Sequence, residues 1–152
     1  MAAIPRKLYA YIEKKLYEQP YQAVSDAAEV LISRREEAFG VKSPSGEASG
    51  GHSGGVSNRV QDGVLRVMAA EETLHTANRW AFVYARLSEI FDGTDEGEIA
   101  RLLYVEELTA QEIAKNRGVD RQTVRRLRDN YVIRAALLAA ENGLVKMDEY
   151  RE

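Results

Sequence analysis

The chain contains no cysteine. That absence excludes a disulfide framework, a thiolate zinc site and a cysteine nucleophile. Histidine occurs only as His52 and His75, so there is no paired-histidine metal motif, and no nucleophile elbow is present. Proline occurs three times, never between Asn58 and Phe91, and nothing of that kind interrupts a long helix there. No run of about 18 uncharged apolar residues exists, so no membrane span is expected. The opening stretch MAAIPRKLYAYIEKK has no apolar core followed by a cleavage site, and a cytoplasmic location is expected. What remains is 152 residues, 45% apolar and 30% charged, with a net charge of −3. That composition suits a soluble all-α protein of one or two small domains. A mild negative charge argues against a histone-like coat on nucleic acid but leaves room for a local basic surface.

Apolar residues recur at helical spacing through most of the chain. Leu8, Ile12 and Leu16 stand at four-residue intervals, with Arg6, Lys7, Lys14 and Lys15 on the wet side. After Gln19-Pro20 the pattern resumes with Val24, Ala27, Ala28, Leu31 and Ile32. Two helices joined so tightly predict an N-terminal helical hairpin over 1–39, with Tyr9, Tyr11, Tyr17 and Tyr21 as hairpin packing whose hydroxyls lie at the rim. Residues 41–57, VKSPSGEASGGHSGGVS, hold five glycines and five serines. Such a stretch buries too little apolar surface to offset its ordering entropy, so 40–58 reads as a flexible linker and His52 as a solvent residue. From Asn58 a long helix is expected over 59–92, with Gly63 as its one glycine and at most one break, and with Trp80 in the core. Its apolar stripe would pack on the hairpin, on a second copy of the chain, or on both. Glu72 and His75 have the spacing of half a di-metal motif, but without the other half they read as a surface cluster. No metal, cofactor or enzymatic activity is expected.

Residues 93–145 carry the functional signal. Asp92-Gly93 makes a turn, Thr94 caps a helix over Asp95 to Glu107, and Gly97 is tolerated in its first turn. Thr109 then caps a short helix, with Glu112 placed to complete a capping box. Gly118 supplies the left-handed residue that ends it, and Asp120 caps a second helix opening at Arg121. Val124, Leu127 and Tyr131 form the apolar stripe of this helix, while Gln122, Arg125, Arg126 and Asp129 are read as pointing away from it. A short helix, a glycine turn and a second helix presenting Gln and Arg is the arrangement that sets side chains against base edges in a major groove. Arginine bonds guanine bidentately and glutamine bonds adenine. Between Gln111 and Arg134 there are seven Lys or Arg against three Asp or Glu, so positive charge gathers where phosphate contact is expected. The DNA-contacting set is therefore expected to be Thr109, Gln111, Arg117, Arg121, Gln122, Thr123, Arg125, Arg126 and Asp129. Asn142-Gly143 ends the helix, and the acidic tail after it is expected to fray.

Laid out in this way, the chain resembles the RinA/ArpU-type phage regulators of late transcription, whose C-terminal part is similar to the promoter-reading domain of sigma factors. The resemblance rests on Tyr17-Glu18-Gln19-Pro20-Tyr21, Ser57-Asn58-Arg59-Val60, Ile99-Ala100-Arg101-Leu102-Leu103-Tyr104, Leu108 to Ala114 and Gly118 to Leu127. It implies a C-terminal three-helix, sigma region 4-like helix-turn-helix domain in which Arg121, Gln122, Arg125 and Arg126 meet bases and phosphates. Arg128 stands on the flank, where sigma-like domains often keep an acidic residue, so no base preference carries over. Double-stranded DNA would be the partner, with host RNA polymerase contact or homodimerisation falling to the hairpin and long helix, inside a bacterial host cell. A DNA-packaging subunit like the small terminase is the alternative, although those subunits usually place the DNA module first.

Overall fold

A computed structural model describes residues 4–40 and 53–151. Among the described residues there is no strand. The α-helices are α1 (Arg6–Tyr17), α2 (Pro20–Phe39), α3 (Ser53–Ile90), α4 (Asp95–Ala100), α5 (Ala110–Arg117) and α6 (Arg121–Glu141). Two compact units are present, one formed by Met1–Pro20 with Arg79–Glu152, the other by Tyr21–Asn78. The glycine- and serine-rich linker read over 40–58 falls mostly on residues 41–52, His52 included, which lie outside the described residues. Helix α3 already begins at Ser53 and runs through Gly63 without a break.

The first unit holds the larger core. The expected 1–39 hairpin is not a unit of this fold, because α1 belongs with the C-terminal helices. Its Leu8, Ile12 and Leu16 are buried in one cluster with Trp80, Leu87 and Val132. Periodicity reveals that α1 has an apolar face but not which surface receives it. Helix α6 offers a run of small buried residues, Ala135, Ala136 and Ala139, and α1 lies close against that helix. Packing at close range buries more contact area per residue, and each large aliphatic side chain so buried contributes about 1.5–3 kcal/mol.

The α1 tyrosines are used individually. Tyr11 meets Trp80 edge-on at 6.1 Å and Tyr17 meets Tyr104 edge-on at 4.9 Å, while Tyr21 is exposed in the other unit. The Tyr84 hydroxyl donates into a cluster of carbonyls at the C-terminus of α1, Leu16 at 2.5 Å with Lys15 and Glu18 at 2.9 and 3.3 Å, acceptors that a helix end leaves open.

Helix α4 is shorter than its sequence pattern. After Ala100 the backbone widens into a π-helical turn, Arg101–Val105, closed by the Glu106 amide on the Arg101 carbonyl at 3.1 Å. Glu107 then takes φ +55, reversing the chain toward α5. The Thr94 cap forms as expected, its hydroxyl accepting from the Gly97 amide at 3.1 Å. Gly97 is more than tolerated, since a Cβ there would lie 2.3 Å from the Phe91 carbonyl oxygen. At the far end, Gly143 (φ +71) ends α6 with the Leu144 amide on the Ala139 carbonyl at 2.9 Å, and Val145 folds back into the core. The acidic tail, expected to fray, forms a 3-10 turn at Met147–Tyr150, where Tyr150 lies 6.2 Å from the Tyr11 ring.

The second unit is a pair of helical segments from α2 and α3 with a small core of Leu31, Val67 and Ala70, joined by Ala38 and Leu74. The helices run antiparallel, because Ala38 lies against Gly63 while Leu31, earlier in α2, packs with Val67 and Ala70, later in α3. The absence of a side chain at Gly63 permits that approach, and a Cβ there would sit 3.1 Å from the Ala38 Cβ.

Candidate nucleic-acid interface

The corner between α5 and α6 is built from local rules. The Thr109 hydroxyl accepts from the Glu112 amide at 3.1 Å. Among the described residues the Glu112 side chain makes no bond back, so half of the expected capping box forms. Gly118 sits at φ +66, with its amide on the Lys115 carbonyl at 3.4 Å and the Val119 amide on the Ala114 carbonyl at 3.0 Å. That pair of bonds is the Schellman closure, which uses carbonyls the helix end would otherwise leave bare. The Asp120 carboxylate accepts from the Gln122 amide at 3.3 Å and opens α6. Ile113, Ala114 and Val124 are buried in the same core, which fixes the two helices against each other.

With one side of α6 anchored, Arg121, Gln122, Arg125 and Arg126 are all exposed in its first two turns. None of the three arginines has an ion-pair partner among the described residues. Thr109 and Gln111 are exposed at the start of α5, and Thr123 is half-buried. The other two members of the expected set are engaged within the chain. Arg117 pairs with Glu98 at 3.5 Å and Asp95 at 3.9 Å, so acid on α4 compensates its charge.

Asp129 does not point away as the sequence suggested. Its carboxylate accepts the Tyr9 hydroxyl at 2.5 Å and lies 3.4 Å from the Arg128 guanidinium. A flanking charge on a helix turns to whatever donor the neighbouring element supplies, and α1 supplies a tyrosine.

That brace is a feature the sequence reading missed. Tyr9, Glu13 and Tyr17 make a second row at four-residue spacing beside Leu8, Ile12 and Leu16, and this row was the signal that could have found it. The Tyr104 hydroxyl donates to the Glu13 carboxylate at 2.9 Å, and the Arg128 guanidinium lies over the Tyr9 ring at 5.7 Å. Arg128 is half-buried, and its Nε has no hydrogen-bond partner among the described residues. Burial, then the bond to Asp129, raises the Tyr9 pKa above the ordinary phenol value. Burial, then the Glu13 charge, does the same for Tyr104. Both hydroxyls therefore stay protonated and act as donors, tying α1 to α6 and to the π-helical turn.

Among the described residues no group of His, Asp and Glu side chains comes together as a metal ion would need, and Glu72 and His75 are exposed. Also among the described residues, no helix is long and apolar enough to cross a membrane. No protein-family model, curated protein or solved structure matches the chain.

Proposed function

We propose that the chain is a sequence-specific double-stranded DNA-binding regulator of transcription that sets the first two turns of α6 into a major groove. The observation that carries this reading is the row Arg121, Gln122, Arg125 and Arg126, exposed at the amino end of a helix whose opposite side is buried. A solvated face needs no such residues, whereas guanidinium and amide groups are the side chains that pair bidentately with guanine and adenine. Lys115, Arg121, Arg125, Arg126 and Arg134 have no ion-pair partner among the described residues, so their charge is open to phosphate. The resemblance to RinA/ArpU-type regulators extends the proposal to late-gene activation alongside host RNA polymerase in a phage-infected or lysogenic bacterium.

The test is selection of bound duplexes from a random pool, followed by titration of the enriched sequence. The parent should enrich one motif, and Arg126→Ala should relax preference at one position by roughly 1–3 kcal/mol. A pool that stays random after selection, with binding indifferent to sequence, overturns the reading.

A further inference from the structure

The second unit is too thin for the apolar surface it carries. Among the described residues its buried apolar side chains are Ala27, Leu31, Val67 and Ala70, a small core for two helical segments of this length. Larger side chains remain outside. On α2, at about 100° per residue, Tyr21, Ile32 and Phe39 fall within about 20° of one direction, roughly a quarter-turn from the Leu31 stripe. On α3, Val60, Val64 and Met68 form a ridge at four-residue spacing, displaced in the same rotational sense from the stripe of Val67 and Ala70. Because the two helices are antiparallel, equal turns in one sense on each lead to the same side of the pair. The two ridges therefore lie on one side of the pair, with the Arg35–Glu71 ion pair crossing between them at 3.2 Å.

That face is open. Exposure is 63% at Tyr21, 61% at Phe39, 58% at Met68 and 56% at Ile32 and Val60. An aromatic side chain buries about 150–250 Å² when covered, so these residues together offer roughly 600 Å² of apolar side chain per chain. A stable interface takes about 800 Å² from each partner, a polar rim included. A patch of this extent stands at the upper end of the roughly 300–600 Å² that monomers expose, where such patches often serve binding. The chain's own 41–52 segment is a poor cover, since VKSPSGEASGGH offers only Val41 and Ala48 as apolar side chains.

We infer that this face is the contact between two copies of the chain, which pair through α2 and the first part of α3 to make a four-helix arrangement. A second copy brings the same apolar area, so the contact is matched in size and chemistry by construction. This places self-association on the second unit, whereas α1, half of the hairpin expected to provide it, is committed to the core of the first.

The experiment is mass measurement by analytical ultracentrifugation of the full chain without DNA, on the parent and on the double variant Ile32→Glu/Met68→Glu. Both side chains lie outside the Leu31, Val67 and Ala70 core, so far-ultraviolet circular dichroism should match the parent. A second double variant, Ile32→Gln/Met68→Gln, removes apolar area without adding charge and guards against a folding defect in the first. The parent should sediment at twice 17.0 kDa and the variants at half the parent mass with unchanged helix content. A parent that is monomeric at micromolar concentration, or folded variants that keep the double mass, would overturn the inference. No DNA enters the assay, so its failure is separate from failure of the α6 reading.

Discussion

Replacing Gly97 with alanine should destabilise the first unit, although alanine is the better helix former. The added Cβ would lie 2.3 Å from the Phe91 carbonyl oxygen and 3.2 Å from its carbon. An ordinary carbon–oxygen approach is about 3.3 Å or more, so the first turn of α4 must move by roughly 1 Å. The carbonyl is poorly placed to yield, because it accepts the Thr94 amide at 3.1 Å and the Thr94 hydroxyl at 2.6 Å. Overpacking of this kind costs about 1–3 kcal/mol. A clash this short against a bonded backbone oxygen falls in the upper part of that range, about 2–3 kcal/mol, and the opposing helix-propensity gain of about 1 kcal/mol leaves a net loss of about 1–2 kcal/mol. For a chain of this size that lowers Tm by about 2–8 °C. The single tryptophan, Trp80, is buried in the same core, so its fluorescence during urea unfolding reports loss of that core. The midpoint should fall with an unchanged slope. An alanine variant as stable as the parent, or more so, would refute the steric reasoning.

Gly118 offers the opposite case, since a Cβ there meets nothing within 4 Å and only its φ of +66 resists a side chain. Gly118→Ala should lower stability by about 1 kcal/mol and Gly118→Asn by less, because asparagine visits the left-handed region more readily; urea midpoints check the order. A double-mutant cycle of Tyr9→Phe with Asp129→Ala should return a coupling of about 0.5–1.5 kcal/mol, and additive losses would mean that the hydroxyl does not tie α1 to α6. Burial, the first cause in each case, raises the pKa of Tyr9, Tyr11, Tyr17, Tyr84 and Tyr104 above the ordinary value of 10.0. Above about pH 10 the unfolded chain loses protons that the folded one keeps, so stability is full below that pH and falls as pH rises past it. Thermal melts from pH 8 to 11 should show this decline, and a flat profile would contradict it.

What was legible in the sequence was local. The Thr94, Thr109 and Asp120 caps, the Gly118 corner and the Asn142-Gly143 stop each depend on a few adjacent residues, so each follows from the sequence alone. The exposed row on α6 followed from the same periodicity that identified Val124 and Leu127 as inward. What escaped depended on partners distant in sequence. Nothing in the spacing of Leu8, Ile12 and Leu16 distinguishes packing on α2 from packing on α6, so the hairpin expectation rests on the short Gln19-Pro20 connection alone. Asp129 reads as outward for the same reason, since its donor lies 120 residues away. Gly97 looked like a propensity penalty because a sequence does not disclose which carbonyl lies over a Cα. The π-helical turn changes the length of α4 without altering any apolar spacing.

The proposed DNA-binding role rests on the amino end of α6, and the most direct measurement is the salt dependence of duplex binding by the parent and by Arg121→Ala/Arg125→Ala/Arg126→Ala. Loss of about 1 kcal/mol per arginine predicts affinity lower by on the order of 10²-fold at matched salt. It also predicts a shallower slope of log affinity against log salt, by about 0.9 for each phosphate contact removed. A triple variant that binds DNA with the parent's affinity and the parent's slope would contradict the account.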